Sequence, residues 1–194
     1  MNPIDREFVI WFNGLSGNVG FIDDMARIIA TDYLMPMVFS LAMFGMWFAG
    51  RTNEERERFQ HWVLIGISSI GLSNVAVVLF NVAWDRDRPY VALPEIELLF
   101  YKATDPSFPA NPVAIGFAAG SAAWMANRKF GYWVFAAAAL YGVSRMYAGV
   151  FYPSDIIGGA LVGIAVTWGT TYVHRLFQPL TNMFRRLVRG LALG

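Results

Sequence analysis

Three stretches of this 194-residue chain set charge beside long apolar runs: Asn81–Tyr90 (NVAWDRDRPY), Asp105–Val113 (DPSFPANPV) and Gly142–Gly163 (GVSRMYAGVFYPSDIIGGALVG). The residues in them best suited to chemistry are Arg88, Arg145 and Asp155. A guanidinium is a planar fork that bonds two oxygens at once, so two arginines at one surface suit a phosphate or another anion. Charge next to hydrocarbon is costly and takes a partner or a task. The residues alone leave a structural reading equally open, with Arg145 paired to Asp155, and Arg86 and Arg88 paired to Asp85 and Asp87. Pro153-Ser154-Asp155 is also a good helix start, with Asp155 in the N-capping position.

Composition limits what can surround these residues. The chain is 56% hydrophobic and 15% charged, with a mean hydropathy of +0.43, which points to an integral membrane protein of one domain. There are no cysteines, which excludes disulfides and thiol nucleophiles. The histidines are His61 and His174, too few for a multi-histidine metal site. No cofactor, metal or nucleic-acid partner is expected. MNPIDREFVIW has no basic region ahead of an apolar one, so no cleaved leader is expected.

The elements that must position the charged stretches read as an all-α membrane bundle. Apolar runs predict about five transmembrane helices, near Tyr33–Gly50, His61–Trp84, Val113–Ala126, Tyr132–Val150 and Asp155–Tyr172. The third is short for a span and is expected to begin inside the protein. Residues 1–32 predict two short amphipathic helices, lying at the membrane surface or capping the bundle. The tail from Arg175 predicts an interfacial helix. Gly116/Gly120, Gly159/Gly163 and the alanines at 136–139 are small-residue sites that let helices approach closely.

Loop charge gives an orientation. With five spans, one side holds 51–60, 127–131 and the tail, with nine basic residues against three acidic; the other side holds six against eleven. The basic side is expected to be cytoplasmic. All three charged stretches then face outward.

In order and spacing, the three stretches resemble the type-2 phosphatidic acid phosphatase and haloperoxidase superfamily, especially small bacterial undecaprenyl-pyrophosphate phosphatases. That family carries a lysine, six residues and Arg-Pro; then Pro-Ser-Gly-His or a variant; then Ser-Arg, five residues, His, three residues and Asp. The matching frames are Asn81 with Arg88-Pro89, then Pro109-Ala110-Asn111-Pro112, then Ser144-Arg145 with Phe151 and Asp155. The resemblance covers most of the chain and implies the fold and a bacterial inner-membrane location.

It also implies a disabled centre. The family's attacking histidine falls at Phe151, its proton-donating histidine at Pro112, its phosphate-holding serine at Ala110 and its lysine at Asn81; Asn111 completes the altered second frame. Arg88, Arg145 and Asp155 remain. Covalent phosphoryl transfer needs an activated nucleophile and a proton donor. His61 and His174 lie at the other end of their spans, roughly 30 Å of hydrocarbon away. The expectation is a non-catalytic member, a pseudoenzyme, that binds a lipid or anionic headgroup or serves as a subunit of a membrane complex. Alternatives are a lipid-phosphate transporter or accessory factor, and a divergent lipid phosphatase. Expected partners are membrane lipids and other membrane-protein subunits.

Overall fold

The computed structural model describes residues 3–18 and 20–192, with side chains to Leu176. Its described residues form helices and no strands: α1 (Pro3–Asn13), α2 (Gly20–Ala30), α3 (Leu34–Phe48), α4 (Asn53–Ala83), α5 (Pro89–Ala92), α6 (Asn111–Ala126), α7 (Arg128–Tyr147) and α8 (Pro153–Ala192). The 31 residues of α4 and the 24 residues Pro153–Leu176 of α8 are long and apolar enough to cross a membrane. The pair α2 and α3 reaches that length together, bent by 56° at its break.

Helix α6 is the centre of the bundle and packs against α3, α4, α7 and α8. Its alanines and glycines are buried almost throughout, which is why it is apolar on every side. Its 16 residues span about 24 Å at 1.5 Å per residue, shorter than a hydrocarbon core of about 30 Å. It starts inside the protein, as its length suggests, behind a fully buried Ala110. Small residues set its distance from α8. A Cβ on Gly163 would come within 2.3 Å of the Ala114 carbonyl oxygen, and one on Gly159 within 2.4 Å of that of Ala110.

Two stretches that read as loops are helical. Residues 53–60 of the 51–60 segment belong to α4. Thr52 accepts from the Glu55 amide at 3.2 Å, and the Glu55 carboxylate accepts from the Arg51 amide at 2.9 Å, so local capping starts the helix ahead of its apolar run. Between α6 and α7, Asn127 alone breaks the helix; its side chain accepts from the Phe130 amide at 3.2 Å. The tail continues α8 without interruption to Ala192; its side chains beyond Leu176, and so its amphipathic face, lie outside the described residues.

Helices α1 and α2 cap one end of the bundle, with three polar residues turned inward and Arg6, Glu7, Asp24 and Arg27 exposed. Asp5, Asn13 and Asp23 are buried, while Ile4, Trp11 and Phe21 are exposed. Asn13 donates to the carbonyls of Tyr147 (2.8 Å) and Glu97 (2.9 Å) and accepts from the Glu97 amide (2.8 Å). Asp23 accepts from the Tyr147 hydroxyl at 2.7 Å.

Candidate functional site

Backbone hydrogen bonds join the three charged stretches at the capped end. The Ala110 amide donates to the Asp155 carbonyl at 3.0 Å, and the Ser107 amide to the Arg86 carbonyl at 2.9 Å. The turn after α7 closes through Val150 N–H to the Arg145 carbonyl at 3.0 Å. Arg88 precedes Pro89, which occupies the first position of α5. Pro112 sits in the first turn of α6, where an amide would have no intrahelical acceptor. Asp155 takes a different place from the expected N-cap. It lies in the first turn of α8, and its carboxylate accepts from the Tyr152 amide at 2.8 Å, reaching back as the acid of a capping box does.

The arginines have partners other than those expected from the chain order. Arg145 bonds Asp32 and the Tyr141 hydroxyl, the latter at 2.9 Å, and its guanidinium lies 4.7 Å from the Phe100 ring centre. Arg88 pairs with the Asp105 carboxylate at 2.9 Å, donates from Nε to the Asp105 carbonyl at 2.8 Å, and stacks 4.6 Å from the Phe151 ring centre. Asp155 pairs with Arg86 at 2.6 Å, and Arg86 also reaches Asp5 at 2.9 Å and Ser154 at 2.7 Å. The Arg145–Asp155 pair therefore does not form, nor do pairs of Arg86 and Arg88 with Asp85 and Asp87. Reach across the fold decides: the N-terminal cap and the 85–110 loop bring Asp5, Asp32 and Asp105 closer than sequence neighbours could come.

Sequence reasoning does not reach Asp5, Asp32, Tyr141 or the second role of Arg86. The available signal was a cluster of acids in residues 1–32, which read as the polar side of surface helices.

Of the degenerate positions, Ala110, Pro112 and Phe151 are apolar, and Asn111 is bonded to a neighbouring helix. Phe151 is 2% exposed and belongs to one apolar cluster with Ala30, Ala110, Val113, Ala148 and Val150; Phe100 packs against the same cluster. Thus both motif arginines lie on rings of a single dry cluster. The Asn111 side-chain amide donates to Asn74 at 3.2 Å, and the Asn81 Oδ1 is buried without a hydrogen-bond partner. A cavity of about 560 Å³ opens beside Arg86, bordered by Asp5, Trp84, Asp85, Asp87, Phe108, Tyr152 and Ser154; neither Arg88 nor Arg145 borders it. Among the described residues, no three His, Asp or Glu side chains converge as metal ligands would. His61 and His174 meet each other at the opposite end of α4 and α8, with ring centres 4.8 Å apart.

Hydrogen bonding fixes the Arg86–Asp5 pair at this end. Burial pushes the Asp5 carboxyl up, but hydrogen bonds from Ser154 and Arg86 outweigh it and leave the group below its ordinary value. Burial raises the Tyr152 hydroxyl to about 12, so it stays neutral beside Arg86, whose guanidinium is 4.1 Å from its ring centre.

A family model described as the PAP2 superfamily matches residues 62–179, more than half of the chain. The chain belongs to the PAP2 superfamily. Among characterised relatives, it is 27% identical to the undecaprenyl-diphosphatase BcrC of Bacillus subtilis (strain 168), over 92% of this chain and 89% of that protein. It is 24% identical to the bacitracin transport permease protein BcrC of Bacillus licheniformis, over 87% and 88%. Its fold is similar to the crystal structure of LpxE from Aquifex aeolicus, with a TM-score of 0.59 and 24% identity over 89% and 88% of the two chains. It is also similar to a transmembrane PAP2-type phosphatidylglycerolphosphate phosphatase from Bacillus subtilis, with a TM-score of 0.51 and 16% identity over 92% and 80%. The chain is thus a bacterial-type integral membrane protein of this superfamily.

Proposed function

We propose that this chain is a non-catalytic PAP2 protein of a bacterial inner membrane that binds the phosphate of a membrane lipid at its outward end. The observation that carries the reading is Phe151: its ring, buried under the Arg88 guanidinium, stands at the position matching the family's attacking histidine and has no lone pair to offer phosphorus. Pro112, at the proton donor's position, has no ionisable group.

Anion binding is supported by the counter-ions. The side chains of Arg88 and Arg145 are each 5% exposed, yet their partners Asp105 and Asp32 are 56% and 43% exposed. A wet carboxylate on a loop or corner is a displaceable partner. Arg88 Nη1 and Arg145 Nε are buried without hydrogen bonds, and a phosphate offers more acceptors than one carboxylate does. The names of the BcrC relatives direct the choice of ligand to a polyprenyl phosphate or diphosphate. In this reading α3, α4, α6, α7 and α8 make five crossings, with the 51–60 segment cytoplasmic.

The test has two measurements on purified full-length protein. Phosphate release from undecaprenyl diphosphate and phosphatidic acid is expected to be negligible. Binding of a fluorescent polyprenyl phosphate in nanodiscs is expected to weaken by about tenfold or more in Arg145→Ala, the order of one lost charge-assisted bond. Metal-independent turnover at ordinary enzyme rates, roughly 1 s⁻¹ or more, abolished by Arg145→Ala, would overturn the non-catalytic reading. Absence of binding together with a stoichiometric protein partner on purification would replace lipid binding with the subunit reading.

A further inference from the structure

The end of the bundle remote from the motifs carries a second cavity, of about 540 Å³, bordered by Trp62 of α4, Trp124 and Met125 of α6, Arg128 of α7, and Trp168, Thr171, Tyr172 and Arg175 of α8. From Pro153 to Arg175 the helix rises about 33 Å, so this cavity and the charged stretches lie a membrane's thickness apart. We infer that it is an anionic phospholipid site, with Arg128 and Arg175 bonding the lipid phosphate while the indole and phenol rings line the adjoining acyl and glycerol region.

Charge complementarity commits the cavity to that occupant. Its border contains two guanidinium groups and no carboxylate. Neither Arg128 nor Arg175 forms an ion pair among the described residues, and both are exposed. The acids of this end are elsewhere; Glu55, for one, is spent on the Arg51 amide. Arg128 is held instead over the Trp124 ring, 5.2 Å from its centre, which orients the guanidinium without neutralising it.

The position suits a lipid rather than a soluble anion. Tryptophan and tyrosine settle at headgroup depth, and a basic pocket between transmembrane helices is the arrangement that takes acidic phospholipid headgroups. Thr171, 8% exposed, already donates back to the Thr167 carbonyl at 2.9 Å, so the charged contacts to a ligand fall to the two arginines. This site shares no residue with the motif end, and it stands or falls independently of the function proposed above.

The experiment is native mass spectrometry of the full chain released from vesicles of equal phosphatidylglycerol and phosphatidylcholine content. The wild type is expected to retain phosphatidylglycerol over phosphatidylcholine by about thirtyfold, the order that two arginines at a membrane surface supply. Arg128→Gln with Arg175→Gln is expected to bring that ratio close to one, with each single substitution between. Arg51→Gln, at the same end but outside the cavity, is expected to keep the wild-type ratio. Equal retention of the two lipids by wild type overturns the inference, as does a ratio that Arg51→Gln lowers as much as the double variant. Inorganic phosphate that displaces the retained lipid at millimolar concentration overturns the assignment to a lipid. Both arginines are exposed, so the folded helical content, checked by circular dichroism, is expected to be unchanged.

Discussion

Asp155 is bonded to Arg86, at 2.6 Å, and not to the Arg145 that shares its sequence motif. Its side chain is fully buried, and Arg86 carries on from it to Asp5 and Ser154. One guanidinium therefore ties α1, the 85–110 loop and the start of α8 together.

Removing that carboxylate is expected to be costly. Asp155→Ala leaves a half-buried arginine short of an anion and the Tyr152 amide without its acceptor, and breaking such a buried pair costs about 3–5 kcal/mol. Arg6→Ala removes only the exposed contact to Glu95 at 3.4 Å and is expected to change stability by less than about 1 kcal/mol. Denaturant unfolding of the two variants in one detergent checks the contrast; similar losses from both would show that the Arg86 junction is not what holds the cap.

The same junction gives a pH dependence at both ends of the scale. The folded-state value of Asp5 lies below its unfolded value of 3.8. Its stabilisation is thus fully present above that pH and is lost as pH falls through the folded value. Asp5→Asn is expected to flatten the acid limb of the stability curve. Tyr152 is the opposite case: it is raised from 10.0 to about 12, so its contribution holds below pH 10 and is lost as pH rises toward 12. Its hydroxyl is buried without a hydrogen-bond partner. Tyr152→Phe is therefore expected to be neutral or mildly stabilising at pH 7 and to remove that alkaline loss. Melting temperatures from about pH 2 to about pH 12 read both limbs.

Close helix approach makes a third prediction. Gly163→Ala puts a methyl into the Ala114 backbone, and forcing such a contact costs about 1–3 kcal/mol. Gly169 on the same helix has nothing within 4 Å of a built Cβ. Gly169→Ala is expected to be neutral or slightly stabilising, since alanine is the better helix former. Equal effects of the two, measured by thermal unfolding, would mean that α6 and α8 are free to separate.

Orientation is tested with single cysteines, which the cysteine-free chain allows directly. Asn53→Cys is expected to label from the cytoplasm and Thr104→Cys from outside. Labelling of both from one side would sink the five-crossing topology.

Much of the fold was legible because hydrocarbon imposes a simple pattern. The runs that became α4 and α8 announce themselves by length and apolarity; those that became α3 and α7 predicted helices in the right places, and Val113–Ala126 showed by its shortness that it begins inside the protein. The three frames, ordered along the chain, announced the capped end. The partners of Arg145 and Arg86 were not legible: Asp32 and Asp5 lie 113 and 81 residues away from them, and only tertiary packing selects among eleven acids on that side. The start of α4 was hidden for a different reason. Thr52 and Glu55 hold a helix together where hydrophobic periodicity is absent.

The inward polar face of α1 has a consequence for how the protein is made. Asp5 docks on Arg86 and Ser154, and Asn13 on Glu97 and Tyr147, all of which leave the ribosome long after α1 does. Helix α1 is made before the partners that seat it. Until Arg86 is made, the Asp5 carboxylate lacks its counter-charge, and until α8 begins it also lacks Ser154. Helix α1 therefore gains its full set of contacts only once the start of α8 has been made.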